Sequence, residues 1–122
     1  MQKTLVIIPA YNEQANIIEL IDRLNSLKLN LDILVVDDSE DNTANLVRER
    51  QLRQANLFLI KRQSKSGRGT AVLEGLKYGL KKDYSFFIEM DADISHQPEE
   101  LPALLKLARA DIVVIGSRYV RG

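Results

Sequence analysis

The sequence predicts an α/β fold, a three-layer α/β/α sandwich around a mainly parallel sheet. Three observations predict it. Short apolar runs alternate with amphipathic stretches along the whole chain. The apolar runs are continuous rather than alternating, as in strands buried on both faces. Polar residues capable of chemistry follow the ends of these runs.

The first strand is Leu5-Val6-Ile7-Ile8, which Pro9 is expected to stop. Ala10 to Glu13 reads as a turn, and a helix follows whose apolar stripe is Ile17, Ile18, Leu20, Ile21, Leu24 and Leu27. Ile33 to Val36 is the second strand, ending in Asp37 and Asp38. Ser39 to Thr43 carries helix-start chemistry, with Asn42 or Thr43 as N-cap, and the helix runs to about Leu52. Leu57 to Ile60 is the third strand, followed by a basic loop from Lys61 to Gly69. The next helix carries Ala71, Val72, Gly75, Leu76, Gly79 and Leu80, and the small residues among them imply close packing on the sheet. Phe86 to Met90 is the fourth strand, Pro98 opens a helix bearing Leu101, Leu104, Leu105 and Ala108, and Ile112 to Ile115 is the fifth strand. Strand–helix alternation with right-handed crossovers places helices on both faces of the sheet.

At 122 residues the chain is sized for one domain with its own core. A content of 45% hydrophobic and 28% charged residues is that of an ordinary globular protein. Lys+Arg and Asp+Glu both number 17, so no global field draws nucleic acid or an anionic membrane. The absence of cysteine excludes disulfides, thiolate metal sites and a cysteine nucleophile, and it fits a cytoplasmic location. No apolar run reaches the roughly 20 residues of a membrane helix. The chain opens directly into a strand, so no signal peptide is expected.

The centre of the sequence is Phe86-Phe87-Ile88-Glu89-Met90-Asp91-Ala92-Asp93. On an extended backbone Asp91 and Asp93 point the same way. Two such carboxylates repel unless a cation lies between them, and Mg²⁺ or Mn²⁺ takes oxygen ligands together with substrate phosphates. Open α/β sheets bind ligands beyond the carboxyl ends of their strands. Position and chemistry therefore agree on a metal–nucleotide site; the alternative is an acidic loop cap. The other strand ends supply Tyr11-Asn12-Glu13, Asp37-Asp38, the Lys65-Ser66-Gly67-Arg68-Gly69 loop, Ser95-His96-Gln97 and Ser117-Arg118-Tyr119 to the same rim. Each has a plainer reading. Asp37 and Asp38 serve as turn and capping residues or bind a ribose or base. The basic loop is a solvated charge run or a phosphate contact, without Walker or dinucleotide-fingerprint spacing. His96 caps or catalyses, Tyr11 is a rim aromatic or stacks on a base, and Arg118 pairs with a helix end or grips a phosphate.

Four segments in order carry a resemblance: Ile8-Pro9-Ala10-Tyr11-Asn12-Glu13, Val35-Val36-Asp37-Asp38-Ser39, Met90-Asp91-Ala92-Asp93-Ile94-Ser95-His96 with Pro98-Glu99, and Gly116-Ser117-Arg118-Tyr119. Together they resemble the nucleotide-binding half of family 2 glycosyltransferases of the GT-A, Rossmann-like type, most closely the dolichol-phosphate or polyprenyl-phosphate mannose synthases. The resemblance implies that Pro9, Tyr11 and Glu13 line a nucleoside pocket and that Asp37 or Asp38 reaches base or ribose. It implies that Asp91, Ala92 and Asp93 face the diphosphate of GDP-mannose or a related donor, with Mg²⁺ or Mn²⁺ on Asp91 and Asp93. Arg118, with Lys65 or Arg68, then contacts donor or acceptor phosphate. The acceptor is a polyprenyl or dolichyl phosphate, so transfer is a single inverting displacement governed by positioning and electrostatics, with membrane contact peripheral and through the acceptor.

The chain departs from the family pattern in two places. The turn after the second strand is one residue shorter, with Asn42 expected to take the left-handed conformation that glycine supplies elsewhere. Relatives continue past the Gly-Ser-Arg-Tyr segment, so a fragment, or one part of a split enzyme, is expected here. A shortened sheet with an uncovered edge makes self-association expected as well. Two other readings stand beside the transferase: a non-catalytic sugar-nucleotide-binding module, and a phospho-receiver domain. The receiver needs its acidic pair after the first strand and a lysine after the fifth, where this chain has Tyr11-Asn12-Glu13 and Arg118.

Overall fold

The computed structural model describes residues 3–63, 67–94, 97–107, 112–115 and 118–121, with backbone alone at Arg68, Leu107 and the last two strands. In order the elements are β1 (Thr4–Ala10), α1 (Ile17–Ser26), β2 (Leu31–Asp37), α2 (Thr43–Gln51), β3 (Leu57–Lys61), α3 (Arg68–Leu80), β4 (Phe86–Glu89), a 3-10 turn (Pro98–Glu100), α4 (Leu101–Leu107), β5 (Ile112–Ile115) and β6 (Arg118–Arg121). The sheet order is β3-β2-β1-β4-β5-β6. β1 to β5 are parallel, and β6 returns antiparallel along β5. The strand order reverses between β1 and β4, which makes the carboxyl ends of those strands the topological switch point.

Two-residue alternation splits the core into two layers. Val6, Ile8, Ile33, Val35, Ile88 and Met90 face one side, against Ile17, Leu20, Ile21 and Leu24 of α1, Val47 of α2 and Leu101 of α4. Leu5, Ile7, Leu34 and Val36 face the other, against Ala71 and Leu76 of α3. The three-layer sandwich is thus built as the continuous apolar runs require.

Three local expectations are corrected. Pro9 does not stop β1, which pairs with β2 as far as Ala10 opposite Asp37. The backbone of Thr4 and Ala10 bonds toward β2, whereas Ile7 accepts from Met90 on the β4 side. Pro9 shares the orientation of Ile7, so its missing N–H falls where the β4 ladder has already ended at Glu89. Leu80 does not pack on the sheet; it is 71% exposed, because the α3 face that does pack is Ala71, Gly75 and Gly79, spaced four apart. The run Arg118 to Arg121, read as a rim turn, forms the sixth strand, with Arg118 opposite Ile115.

α3 lies close on β1 and β4 because two of its residues lack side chains. A Cβ at Gly75 would sit 2.6 Å from Ile7 Cγ2, and one at Gly79 would sit 2.4 Å from the Phe87 ring. Gly75→Ala gains about 1 kcal/mol of helix propensity, but overpacking against a β-branched core residue costs about 1–3 kcal/mol. A net loss of up to about 2 kcal/mol in urea unfolding is expected; a gain would show that α3 can lift off the sheet freely.

Candidate functional site

At the switch point the strand ends enclose a cleft of about 490 Å³, lined by Pro9, Ala10, Tyr11, Glu13, Asp38, Gly67, Ala71, Asp91, Ala92 and Asp93. Its base is the end of β1. Asp38, just past β2, stands on one side, and Asp91 to Asp93, just past β4, stand on the other. With strands about 4.8 Å apart, the two acidic ends are separated by two strand spacings, roughly 10 Å.

Adjacent Asp37 and Asp38 take opposite faces, and this decides which of them meets the cleft. Asp37 is fully buried. Its Oδ1 accepts from the Ser39 hydroxyl (2.5 Å) and its Oδ2 from Lys61 Nζ (3.1 Å). Lys61 Nζ also bonds the Ser39 carbonyl. Asp37 therefore braces the turn and is absent from the cleft wall. Asp38 lies on that wall, and Arg62 grips it with Nε on Oδ1 (2.6 Å) and Nη2 on Oδ2 (2.5 Å). The carboxylate of Asp38, outweighing the opposing effect of burial, raises the pKa of Arg62 and holds its charge firmly.

The turn after β1 is organised by Asn12, which occupies the left-handed region at φ 54°. Its amide donates to Ser39 Oγ (2.7 Å), and its Oδ1 accepts from the amides of Glu40 (2.9 Å) and Asp41 (3.3 Å). Glu13 N donates to Thr43 Oγ1 (3.0 Å), and Thr43 donates through both N and Oγ1 to Asp41 Oδ1. Burial pushes the Asp41 carboxyl up, but the Thr43 bonds outweigh it and leave Asp41 below the usual carboxylate range. The loops after β1 and β2 are thus laced into one unit. Asn42, expected in the left-handed region, has φ −86° and is the ordinary N-cap position of α2; Asn12 fills that conformational role instead. Asn12→Gly keeps the conformation and loses the two side-chain bonds. Asn12→Ala loses both, and is expected to cost about 1 kcal/mol more. Equal melting of the two variants would count against the left-handed requirement.

Asp91 and Asp93 meet on the cleft wall for a reason other than strand alternation. β4 ends at Glu89, and the pair sits on the turn beyond it. Ala92 is buried in the core and anchors that turn, while Asp91 is half-buried and Asp93 exposed. The turn closes on Ile94 at φ 60°, an uncommon conformation for a β-branched residue. Beyond it, Arg23 of α1 donates Nε to Glu99 Oε2 (2.9 Å) and Nη2 to Gln97 Oε1 (2.7 Å), fixing the 3-10 turn.

Glu13, Asp38, Asp91 and Asp93 place four carboxylates on the described lining, and Arg62 forks onto that of Asp38. A cation between Asp91 or Asp93 and a diphosphate would favour its approach. The donor set, two carboxylates on an open turn, fits a hard divalent ion that takes its remaining ligands from phosphate and water. Among the described residues no group of three or more His, Cys, Asp or Glu is placed to hold a metal ion by itself. α3 begins at the cleft, with Gly67 at φ 95° preceding it, and its positive dipole end favours an anion there.

The structure thus brings together Pro9, Tyr11, Glu13, Asp38, Asp91, Ala92 and Asp93, and sets Asp37 apart. Lys65, Ser95, His96 and Ser117 lie outside the described residues, as do the side chains of Arg68 and Arg118. Asn12, read only as part of the Tyr11–Glu13 rim cluster, and Lys61 and Arg62, read only as part of the basic loop, were given no role of their own from the sequence. The signal for the last two was a pair of cations ending β3, opposite a pair of carboxylates ending β2.

The chain belongs to glycosyl transferase family 2, whose family model matches residues 5–122. It is 47% identical to the polyprenol monophosphomannose synthase of Mycolicibacterium smegmatis, over 99% of this chain and 47% of that protein. It is 41% identical to the undecaprenyl-phosphate mannosyltransferase of Micrococcus luteus, over 98% of this chain and 50% of that protein. The chain therefore spans about half the length of these relatives. In structure it is similar to a mannosyltransferase from Pyrobaculum calidifontis solved in complex with GDP-Man and Mn2+, with a TM-score of 0.76 and 26% identity, over 89% of this chain and 33% of that one.

Proposed function

We propose that this chain is the donor-binding part of a transferase that moves mannose from GDP-mannose to a polyprenyl phosphate. The observation that carries the proposal is the cleft itself. Asp38 at one end and the Asp91–Asp93 turn at the other are spaced as the nucleoside and diphosphate of one donor require.

In this reading Pro9 and Tyr11 flank the nucleoside and Asp38 accepts from its N–H or O–H groups. Asp91 and Asp93 hold Mg²⁺ or Mn²⁺, which supplies neutralisation of the charge that develops on the departing diphosphate. The start of α3, joined by Lys65, Arg68 or Arg118, receives phosphate oxygens. The laced loops after β1 and β2 keep the nucleoside wall fixed, so that orientation need not be acquired at the moment of reaction. The acceptor phosphate is already anionic, and attack on the sugar carbon from the face opposite the leaving diphosphate needs no strong base. No helix among the described residues is long and apolar enough to cross a membrane.

A second reading keeps the donor site and omits turnover: the chain binds donor and acts with a partner or a second copy. A transfer assay separates the two. The chain is incubated with GDP-mannose, Mn²⁺ and a short-chain polyprenyl phosphate. Mannosyl-lipid formation supports the transferase; donor binding without product supports the module, and neither result would sink both.

A further inference from the structure

Arg62 belongs to no motif of the resemblance, yet its guanidinium bonds to two walls of the cleft. Beyond its two bonds to Asp38, Nη2 donates to the Gly67 carbonyl (3.2 Å) and Nη1 to Thr70 Oγ1 (3.1 Å), with Glu74 Oε1 at 3.6 Å. Thr70 Oγ1 in turn donates to the same Gly67 carbonyl (2.9 Å), which also receives the Ala71 amide (3.2 Å). Asp38, Gly67 and Ala71 all line the cleft. One guanidinium therefore ties the acidic wall after β2 to the first turn of α3. Its side chain is 11% exposed, so water competes little for these bonds. Only a planar fork can hold both oxygens of a carboxylate and reach a carbonyl and a hydroxyl at once.

We propose that Arg62 is the positioning residue of the nucleoside end of the cleft, fixing the Asp38 carboxylate against the start of α3. This deepens the donor-binding reading and rests on it only for the identity of the ligand. Each Asp38 oxygen accepts one N–H from Arg62 and keeps lone-pair capacity for a ligand. The carboxylate so held is an aimed acceptor, suited to the N–H edge of a base or to ribose hydroxyls. Because the Asp91–Asp93 turn lies two strands away, Arg62 acts chiefly on the nucleoside part of a donor and only weakly, through the start of α3, on its diphosphate.

The test uses Arg62→Lys, which keeps the charge and loses the fork, with Arg62→Met as a second variant. Calorimetry with Mn²⁺ compares GDP, UDP and inorganic pyrophosphate. The nucleoside diphosphate that the unaltered chain binds is expected to lose at least tenfold in affinity in Arg62→Lys, while pyrophosphate changes less than about twofold. Parallel loss for both ligands, or loss for neither, would overturn the proposal. Hydrogen exchange reads the strut without any nucleotide. Exchange is expected to quicken in Arg62→Lys at the amides of both Asp38 and Ala71, and slow exchange retained at both would also overturn it. Quickened exchange in a protein that binds no nucleotide would leave the strut standing and refute the donor-binding reading alone.

Discussion

Replacing Asp91 or Asp93 by Asn is expected to abolish metal-dependent nucleotide binding while leaving the fold intact. Both residues sit on a turn beyond β4 and neither belongs to the core; the buried anchor of that turn is Ala92. Replacement of the exposed Asp93 should shift stability by no more than about 0.5 kcal/mol, and that of the half-buried Asp91 by about 1 kcal/mol, the usual size for a point substitution. The effect on binding is of a different size. A divalent ion held by these carboxylates would screen them from a diphosphate, and an amide cannot replace the charge of a carboxylate ligand. A loss of roughly 100-fold in Mn²⁺-dependent affinity is expected, at the upper end of what altering a coordination set costs. Calorimetry measures it, and circular dichroism checks the fold. Unchanged affinity in both variants would remove the metal assignment.

Lys61→Met is expected to have a large effect on stability. Asp37 is fully buried, and its only described cation is Lys61 at 3.1 Å. Removing the amine leaves a buried carboxylate with the Ser39 hydroxyl and amide alone. Breaking a fully buried pair costs about 3–5 kcal/mol; Lys61 is one-third exposed, so about 2–3 kcal/mol is expected here. Urea unfolding gives the value. Adding Asp37→Asn to Lys61→Met should recover part of the loss, since the two substitutions are coupled. Strict additivity would place the stabilisation of this turn elsewhere.

The sequence made some of this legible and hid the rest for identifiable reasons. β1 and β2 were readable because two-sided burial leaves a short, continuous run of aliphatics bounded by turn residues; β3, at the sheet edge and mostly half-buried, kept a run of the same length. β6 was not, since Arg118-Tyr119-Val120-Arg121 is short and polar at both ends, and its pairing depends on β5. Asp91 and Asp93 stand out as a pair in any reading, but the turn that aims them is set by Ala92 entering the core, a tertiary event. Asp37 and Asp38 looked equivalent because they are neighbours. The alternation that separates them is visible in the sequence; the cations that claim them, Lys61 and Arg62, arrive from β3, 24 residues later. Asn12 and Asn42 were both suited to a left-handed turn, and the choice between them was made by Ser39, whose hydroxyl the Asn12 amide finds across the loop.

The central claim is that the cleft at the switch point is a metal-dependent site for the nucleotide of a sugar donor. Calorimetric titration of the purified chain with GDP and with UDP, each with and without Mn²⁺, tests it most directly. The account predicts that GDP binds with Mn²⁺, at least tenfold more tightly than UDP, and that affinity falls by at least tenfold when the metal is withheld. Equal binding with and without Mn²⁺, or no binding of either nucleotide, would contradict it.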